Sequence, residues 1–256
     1  MANSKYEYVK SFEQPDILLQ NVWIVVRIDG RSFHKFTTKH DYAKPNDDRG
    51  LSLMNRAALE VCKEFPDIVI AFGESDEYSF VLKKSCNLFE RRSSKISSSI
   101  VSYFTSQFVY RWKEYFGEHE LKYPPTFDSR CVLYPTDENI KDYLSWRQAD
   151  THINNLYNTC YWALVLKAGK TPIEAENELR GTFSDGKNEM LFSRFNINYN
   201  NLPAEYRKGS VIFKKPVQET NKETGLTKSK KRLVIEHVDI ISEKFWKEYP
   251  DILASK

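Results

Sequence analysis

The chain has 256 residues, 41% of them apolar, 14% aromatic and 29% charged, with a formal net charge of +3. Those figures exclude a mainly disordered or fibrous chain and provide for a sizeable core. The longest apolar runs, such as residues 22–26, fall far short of the roughly 20 residues a membrane-spanning helix needs.

Four cysteines are spread through the chain with no CxxC pair, so neither a zinc ribbon nor a disulfide framework is expected. The opening residues have no apolar stretch and carry acids early, unlike a signal or transit peptide. A cytoplasmic protein is expected, with a nuclear location also open. Charge is uneven. Residues 207–232 hold nine Lys/Arg against two Glu, a net of +7, and residues 83–95 hold five against one, a net of +4. Basic clusters of this kind suit a phosphate-rich partner.

In chain order, residues 22–28 (VWIVVRI) read as a buried central strand, ended by the polar pair Asp29–Gly30. Residues 51–65 place Met54, Ala58, Val61 and Phe65 at helical spacing. Two strand-like runs follow, 68–72 and 77–82, with a turn over 73–76. Residues 94–116 carry one apolar stripe and predict a long helix, and 126–134 predict a strand. The order is that of a ferredoxin-like βαββαβ unit, an α+β fold with a mixed, mainly antiparallel sheet and two helices on one face. Residues 137–168 predict a long helix, and Thr171–Pro172 starts another. Residues 210–217 and 232–240 read as strands of a long hairpin with a basic tip over 221–231, and a last helix is expected near 242–253. A soft boundary near 135 divides a catalytic region, 1–135, from a mostly helical region with a basic hairpin, 136–256.

The chemistry concentrates in two places. Asp29 ends the first strand, and Asp76 and Glu77 lie at the hairpin that neighbours it in a split sheet. Carboxylates that converge repel unless a cation lies between them, and hard oxygen ligands beside a phosphate site select Mg²⁺. Two such ions clamp an in-line phosphoryl displacement. Gly30 lets the backbone come close and offers its carbonyl. The following residues, Arg31, Ser32, Phe33 and His34, present successive N–H groups to a triphosphate. Lys95 opens a helix and can neutralise developing charge. Neither a Walker lysine motif nor a GxGxxG run occurs. Taken alone, these features describe a metal-dependent, nucleotide-handling α+β domain.

Three longer motifs carry a resemblance. RIDGRSFHKFT (27–37), GESDEYSF (73–80) and HINNLYN (152–158), with the MANSKYEYVK opening and the Lys187-Asn188-Glu189 segment after GTFSDG, closely resemble the tRNA-His guanylyltransferase family over nearly the whole chain. The resemblance implies a nucleotidyltransferase built on a polymerase- and cyclase-like palm sheet. It implies that ATP adenylylates the 5′-phosphate of tRNA-His, that the GTP 3′-hydroxyl then attacks, and that pyrophosphate is finally removed. By the same resemblance Asp29, the Gly30 carbonyl and Asp76 are ligands of two Mg²⁺ ions, with Glu77 in a supporting or ligand role. Residues 29–34, Ser75 and Asp76 would contact the nucleoside triphosphate, as would Lys44, Asn46 and Asp47. Arg27, Arg92 and Lys95 would meet triphosphate or the tRNA 5′ end. His152, Asn155 and Asn158 share a helix at spacings of three, a geometry for binding tRNA or for buried helix contacts. Lys187 and the hairpin residues Lys228, Lys230, Lys231 and Arg232 would hold tRNA. The resemblance also implies an oligomer, commonly a tetramer. Other readings are a palm-fold nucleotide cyclase, a tRNA-binding protein without chemistry, and template-dependent 5′-end tRNA repair.

Overall fold

A computed structural model of the chain describes residues 4–220 and 227–254. After a 3₁₀ turn at Glu7–Phe12, β1 (Trp23–Gly30) forms on the β-branched run and continues through Asp29 and Gly30. A short helix, α1 (Phe33–Lys39), leads to α2 (Asp48–Glu64). Asp47 caps α2 by accepting the Arg49 N–H at 3.0 Å. Then come β2 (Ile68–Glu74), β3 (Glu77–Leu82), α3 (Ser93–Tyr110), α4 (Trp112–Phe116) and β4 (Phe127–Tyr134). The long helix α5 (Asp137–Leu166) begins at a Thr136/Asn139 capping box, and α6 (Pro172–Leu179) at a Thr171/Glu174 box. The chain closes with α7 (Ser184–Phe195), α8 (Ala204–Lys208), β5 (Ser210–Thr220), β6 (Thr227–Glu236) and α9 (Glu243–Glu248).

The six strands form one sheet in the order β4-β1-β3-β2-β5-β6. Every pairing is antiparallel, so the expectation of a mixed sheet is corrected. Successive side chains of a strand alternate between faces, and each face has its own core. Ile24, Val26 and Ile28 of β1 point to one face, where α2 and α3 cover them with Leu53, Val61, Ile100 and Phe104. Trp23 and Val25 point to the other, where α5 packs Ile140, Tyr143 and Leu144 and the C-terminal segment adds Phe245 and Trp246. The far half of α5 leaves the sheet and builds a third cluster with α6 and α7 through Leu156, Cys160, Leu164, Leu179 and Leu191.

Several boundaries differ from the sequence expectation. The single helix over 94–116 is two, divided at Arg111, and α4 stacks Trp112 on Phe116 with ring centroids 3.8 Å apart. Residues 237–240 leave the sheet because the buried Gln148 side chain takes their backbone: it donates to Val238 O at 2.9 Å and accepts from Ile240 N at 2.8 Å. Pro250 ends the last helix early, and a 3₁₀ turn at Pro250–Ile252 follows. Of the expected basic tip over 221–231, residues 221–226 lie outside the described residues, as does the side chain of Lys228, and residues 227–231 belong to β6, because the strand begins five residues before its expected start.

Candidate functional site

The register of the sheet places the acids. Asp29 stands opposite Glu77 on one side and Asp128 on the other, and Glu77 stands opposite Glu74. Four carboxylates therefore form one row across β4, β1, β3 and β2, on the face that α5 covers. Asp76 lies in the turn between β2 and β3. Its carbonyl accepts the Gly30 N–H at 3.1 Å, which ties the end of β1 to that turn. Ser75 makes the turn at φ 47°, in the left-handed region. A Cβ on Gly30 would meet Asp76 Oδ2 at 2.7 Å and the Phe33 ring at 2.7 Å, so the close approach of strand and turn depends on glycine.

Burial and the charge of Asp29 push the Asp76 carboxyl up to about 6. Burial likewise raises Glu77, against the pull of Arg147 and Arg27. Glu74 is pushed up to about 7, again by burial, with Thr151 and Arg147 opposing. Among the described residues no cluster of three His, Cys, Asp or Glu side chains could hold a metal. The donors at hand are the Asp29 and Asp76 carboxylates, near enough for the charge of one to act on the other, and the Gly30 carbonyl. That set fits Mg²⁺, which takes one or two carboxylates and fills its shell with water and substrate phosphate oxygens.

Beside Asp76 opens a cavity of about 570 Å³, which Asp29 and Glu77 do not line. Of the residues named from sequence, Gly30, Ser32, Phe33, His34, Lys44, Asn46, Asp47, Ser75, Asp76 and Asn158 line it. Their parts differ. The Phe33 ring is a core residue, stacked on Phe36 at 4.9 Å, so only an edge reaches the cavity. Asp47 is occupied: Arg49 and the N–H of Ala43 hold its carboxylate, which stays low despite its burial. Lys44 donates to Thr37 Oγ1 at 2.9 Å and lies 5.7 Å from the Trp162 ring centre. Burial lowers its pKa. Arg31 is exposed and is not among the lining residues. The first N–H groups of α1 lack intrahelical acceptors and lie at the Ser32–His34 wall.

The other named residues do not line this cavity. Arg27 faces Glu77 at 3.9 Å. Arg92 pairs with Asp16 at 3.4 Å, and the exposed Lys95 lies 5.9 Å from the Phe89 ring centre. His152, Asn155 and Asn158 sweep round α5 rather than share one environment. Asn155 is buried and bonded to Asn46 at 3.0 Å and Tyr199 at 3.1 Å, and His152 is half-buried against the Tyr199 ring. Only Asn158 faces the cavity. Lys187 donates to Thr182 O at 2.7 Å, closing the turn before α7. Lys230 and Arg232 are exposed on β6, and Lys231 pairs with Asp251 at 2.7 Å.

Sequence reasoning missed the aromatic wall of Tyr42, Tyr157, Tyr161 and Trp162, and the acid Glu176. The spacing of Tyr157 and Tyr161, one helical turn apart, was the available signal. It also missed Arg147, which nothing in its local sequence distinguishes from a solvated helix residue.

A family model described as tRNAHis guanylyltransferase matches residues 6–135, and a model described as Thg1 C terminal domain matches residues 138–242. A probable tRNA(His) guanylyltransferase of Drosophila melanogaster is 54% identical, covering 99% of this chain and 86% of the relative. The crystal structure of tRNA(His) guanylyltransferase from Saccharomyces cerevisiae is 52% identical, with a TM-score of 0.78, over 82% of this chain and 93% of that one. A bacterial Thg1-like protein in complex with ATP shares the fold at 23% identity, with a TM-score of 0.77 over 98% of this chain and all of that one.

Proposed function

Because the chain belongs to the tRNAHis guanylyltransferase family of nucleotidyltransferases, we propose that it adds one guanosine to the 5′ end of tRNA-His at the Asp29–Asp76 site. In this reading the antiparallel sheet is a polymerase-like palm. The single observation that carries it is the tie of the β1 end, which bears Asp29, to the Asp76 turn through the Gly30 N–H, beside a cavity with the volume for a nucleoside triphosphate.

The overall reaction has three parts. A 5′-phosphate oxygen of tRNA attacks the α-phosphorus of ATP and pyrophosphate leaves. The GTP 3′-hydroxyl then attacks the activated 5′-phosphorus and AMP leaves. The new 5′-triphosphate finally loses pyrophosphate to water. Two Mg²⁺ ions, held by Asp29, Asp76 and the Gly30 carbonyl, would supply charge neutralisation and lower the pKa of the attacking hydroxyl. The rest falls to this chain. The N–H groups at Ser32–His34 receive phosphate oxygens, and the Lys44 ammonium faces the same space. Tyr42 and the Tyr157–Trp162 wall offer flat faces to a base. Arg27, Arg92 and Lys95 are the cations assigned to the triphosphate or the tRNA 5′ end. His152, Asn155 and Lys187 support the RNA-facing helix through its packing.

The strongly basic β5–β6 arm, with Lys228, Lys230, Lys231 and Arg232, grips the tRNA backbone. Exposed apolar side chains, among them Tyr8, Phe12, Ile173 and Phe192, support self-association, which this reading takes as a homotetramer, in the cytoplasm or also in the nucleus.

The test mixes the protein with Mg²⁺, ATP, labelled GTP and 5′-phosphorylated tRNA-His, beside a tRNA with another anticodon. A one-nucleotide 5′ extension of tRNA-His alone, lost in Asp29→Ala and Asp76→Ala, is the expected result. A cyclic nucleotide product without extension, or extension that survives both substitutions, overturns the reading.

A further inference from the structure

Of the four carboxylates in the row across the sheet, Glu77, like Asp29, has an acid on either side. Asp29 stands opposite it on one strand and Glu74 on the other. Like charges directly opposed across a sheet repel, and this row lies at the end of the sheet where Asp76 adds another. One buried cation meets it from above. Arg147 of α5 is only 4% exposed, and its guanidinium straddles the β2–β3 pair. Nε and Nη1 lie 3.4 and 3.5 Å from the two Glu77 oxygens, and Nη2 lies 3.5 Å from Glu74 Oε1. The same Nη2 holds Asp150, one turn along α5. On its open side the guanidinium stacks against the Trp146 indole, 4.1 Å from the ring centre. Thr151 donates to the Arg147 carbonyl at 2.9 Å and anchors that turn of the helix.

We infer that Arg147 is a positioning residue for nucleotidyl transfer: it draws Glu77 and Glu74 to α5 and so leaves Asp29 and Asp76 as the carboxylates for the reaction. The inference rests on the Asp29–Asp76 reading of the site and adds a division of labour to it. Five acids crowd one strand end, and a fork that binds two of them decides which carboxylates stay turned to the substrate. Glu77 then acts as the strut between the fork and Asp29. An ammonium cannot reproduce this, since it is a point charge without two fixed N–H directions.

The experiment compares wild type with Arg147→Met, Arg147→Lys, Glu77→Gln and the Arg147→Met/Glu77→Gln double variant. Readouts are kcat and KM for GTP in tRNA-His extension, equilibrium GTP binding and Tm. Expected for Arg147→Met is a kcat loss of tenfold or more, with KM and equilibrium GTP binding within twofold of wild type. Arg147→Lys should fall between, three- to tenfold down, with Tm near wild type. The double variant should lose less than the product of the two single losses, because both break one unit. Multiplicative losses, a wild-type kcat in Arg147→Lys, or kcat falling only in step with Tm each overturn the inference. Should Arg147→Met fail to fold, the Lys variant and its cycle with Glu77→Gln decide alone. Asp29→Ala and Asp76→Ala run beside them. If those two stay active, the reading of the site itself fails. If they are dead while the Arg147 variants are normal, only this inference fails.

Discussion

Replacing Gly30 with alanine adds one methyl group at the point where strand β1 meets the β2–β3 turn. Gly30 needs no left-handed backbone, so the constraint is space alone. The new Cβ would lie 2.7 Å from Asp76 Oδ2 and 2.7 and 2.9 Å from two atoms of the Phe33 ring. Ordinary contact begins near 3.4 Å, so one side must retreat by about 0.7 Å. Phe33 is buried among Phe36, Phe108 and Phe127 and has little room, so the carboxylate gives. Metal-ligand distances tolerate only about 0.2 Å, and a misplacement near 1 Å costs on the order of a hundredfold in rate. The expected kcat for tRNA-His extension is therefore down roughly 10- to 100-fold, or about 1.4–2.8 kcal/mol of barrier. Residual pressure on the Phe33 ring costs about 1–3 kcal/mol of stability, read as roughly 2–4 °C of Tm per kcal/mol. The assay is extension at saturating ATP, GTP and tRNA, with thermal unfolding followed by circular dichroism. A folded Gly30→Ala protein with wild-type kcat would refute the argument that this approach sets the carboxylate's position.

Two further outcomes follow from other parts of the molecule. Neutralising Lys228, Lys230, Lys231 and Arg232 together should weaken tRNA binding and flatten its dependence on salt, while GTP binding stays as it was; unchanged tRNA affinity and salt slope would remove the arm from RNA recognition. His40 is wholly buried, donates from Nδ1 to Phe36 O at 2.8 Å and accepts the Lys122 N–H at Nε2 at 3.0 Å. Burial lowers its pKa below the ordinary 6.5, with Lys122 and His119 also lowering and Asp41 raising it. Below about pH 6.5 the unfolded chain thus binds a proton that the folded one refuses, and stability falls as pH drops, by at most about 1.4 kcal/mol per pH unit from this group. Urea midpoints between pH 7.5 and 5 should fall more steeply for wild type than for His40→Asn, and equal slopes would disprove the assignment.

Long elements with a strong pattern were legible in the sequence: the β-branched run of β1, the stripe of α2 and the capped start of α6 all lie within a few residues of their expected places. α1 escaped because its segment reads as a phosphate-binding loop, and its apolar signal is only the Phe33/Phe36 pair one turn apart. α7 buries a single residue, Leu191, and so has little periodicity to detect. At the site, the acids and the turn that brings them together were readable because a split βαββαβ order makes β1 and β3 neighbours. What was not readable depends on contacts between distant segments. Asn155 and Lys187 are bonded within the fold to Asn46, Tyr199 and a turn carbonyl, contacts that no local spacing announces. Arg147 lies 70 residues from Glu77 in sequence, and only the packing of α5 on the sheet joins them.

The helix α5 also bears on how the chain could be cut. At 30 residues it is about 45 Å long, and it serves two cores with one continuous rod. Its first half roofs the sheet over Trp23, Val25, Phe72 and Val81, and its second half builds the cluster with α6 and α7. A fragment stopped before Asp137 would keep all the carboxylates of the strand end but strip one face of the sheet to water and leave β2 without its neighbour β5. A fragment begun there would carry the rod without the sheet beneath it. The gene can be divided at that point on paper, but the two products would each inherit half of a shared core, and neither half could be exchanged between relatives without carrying its counterpart along.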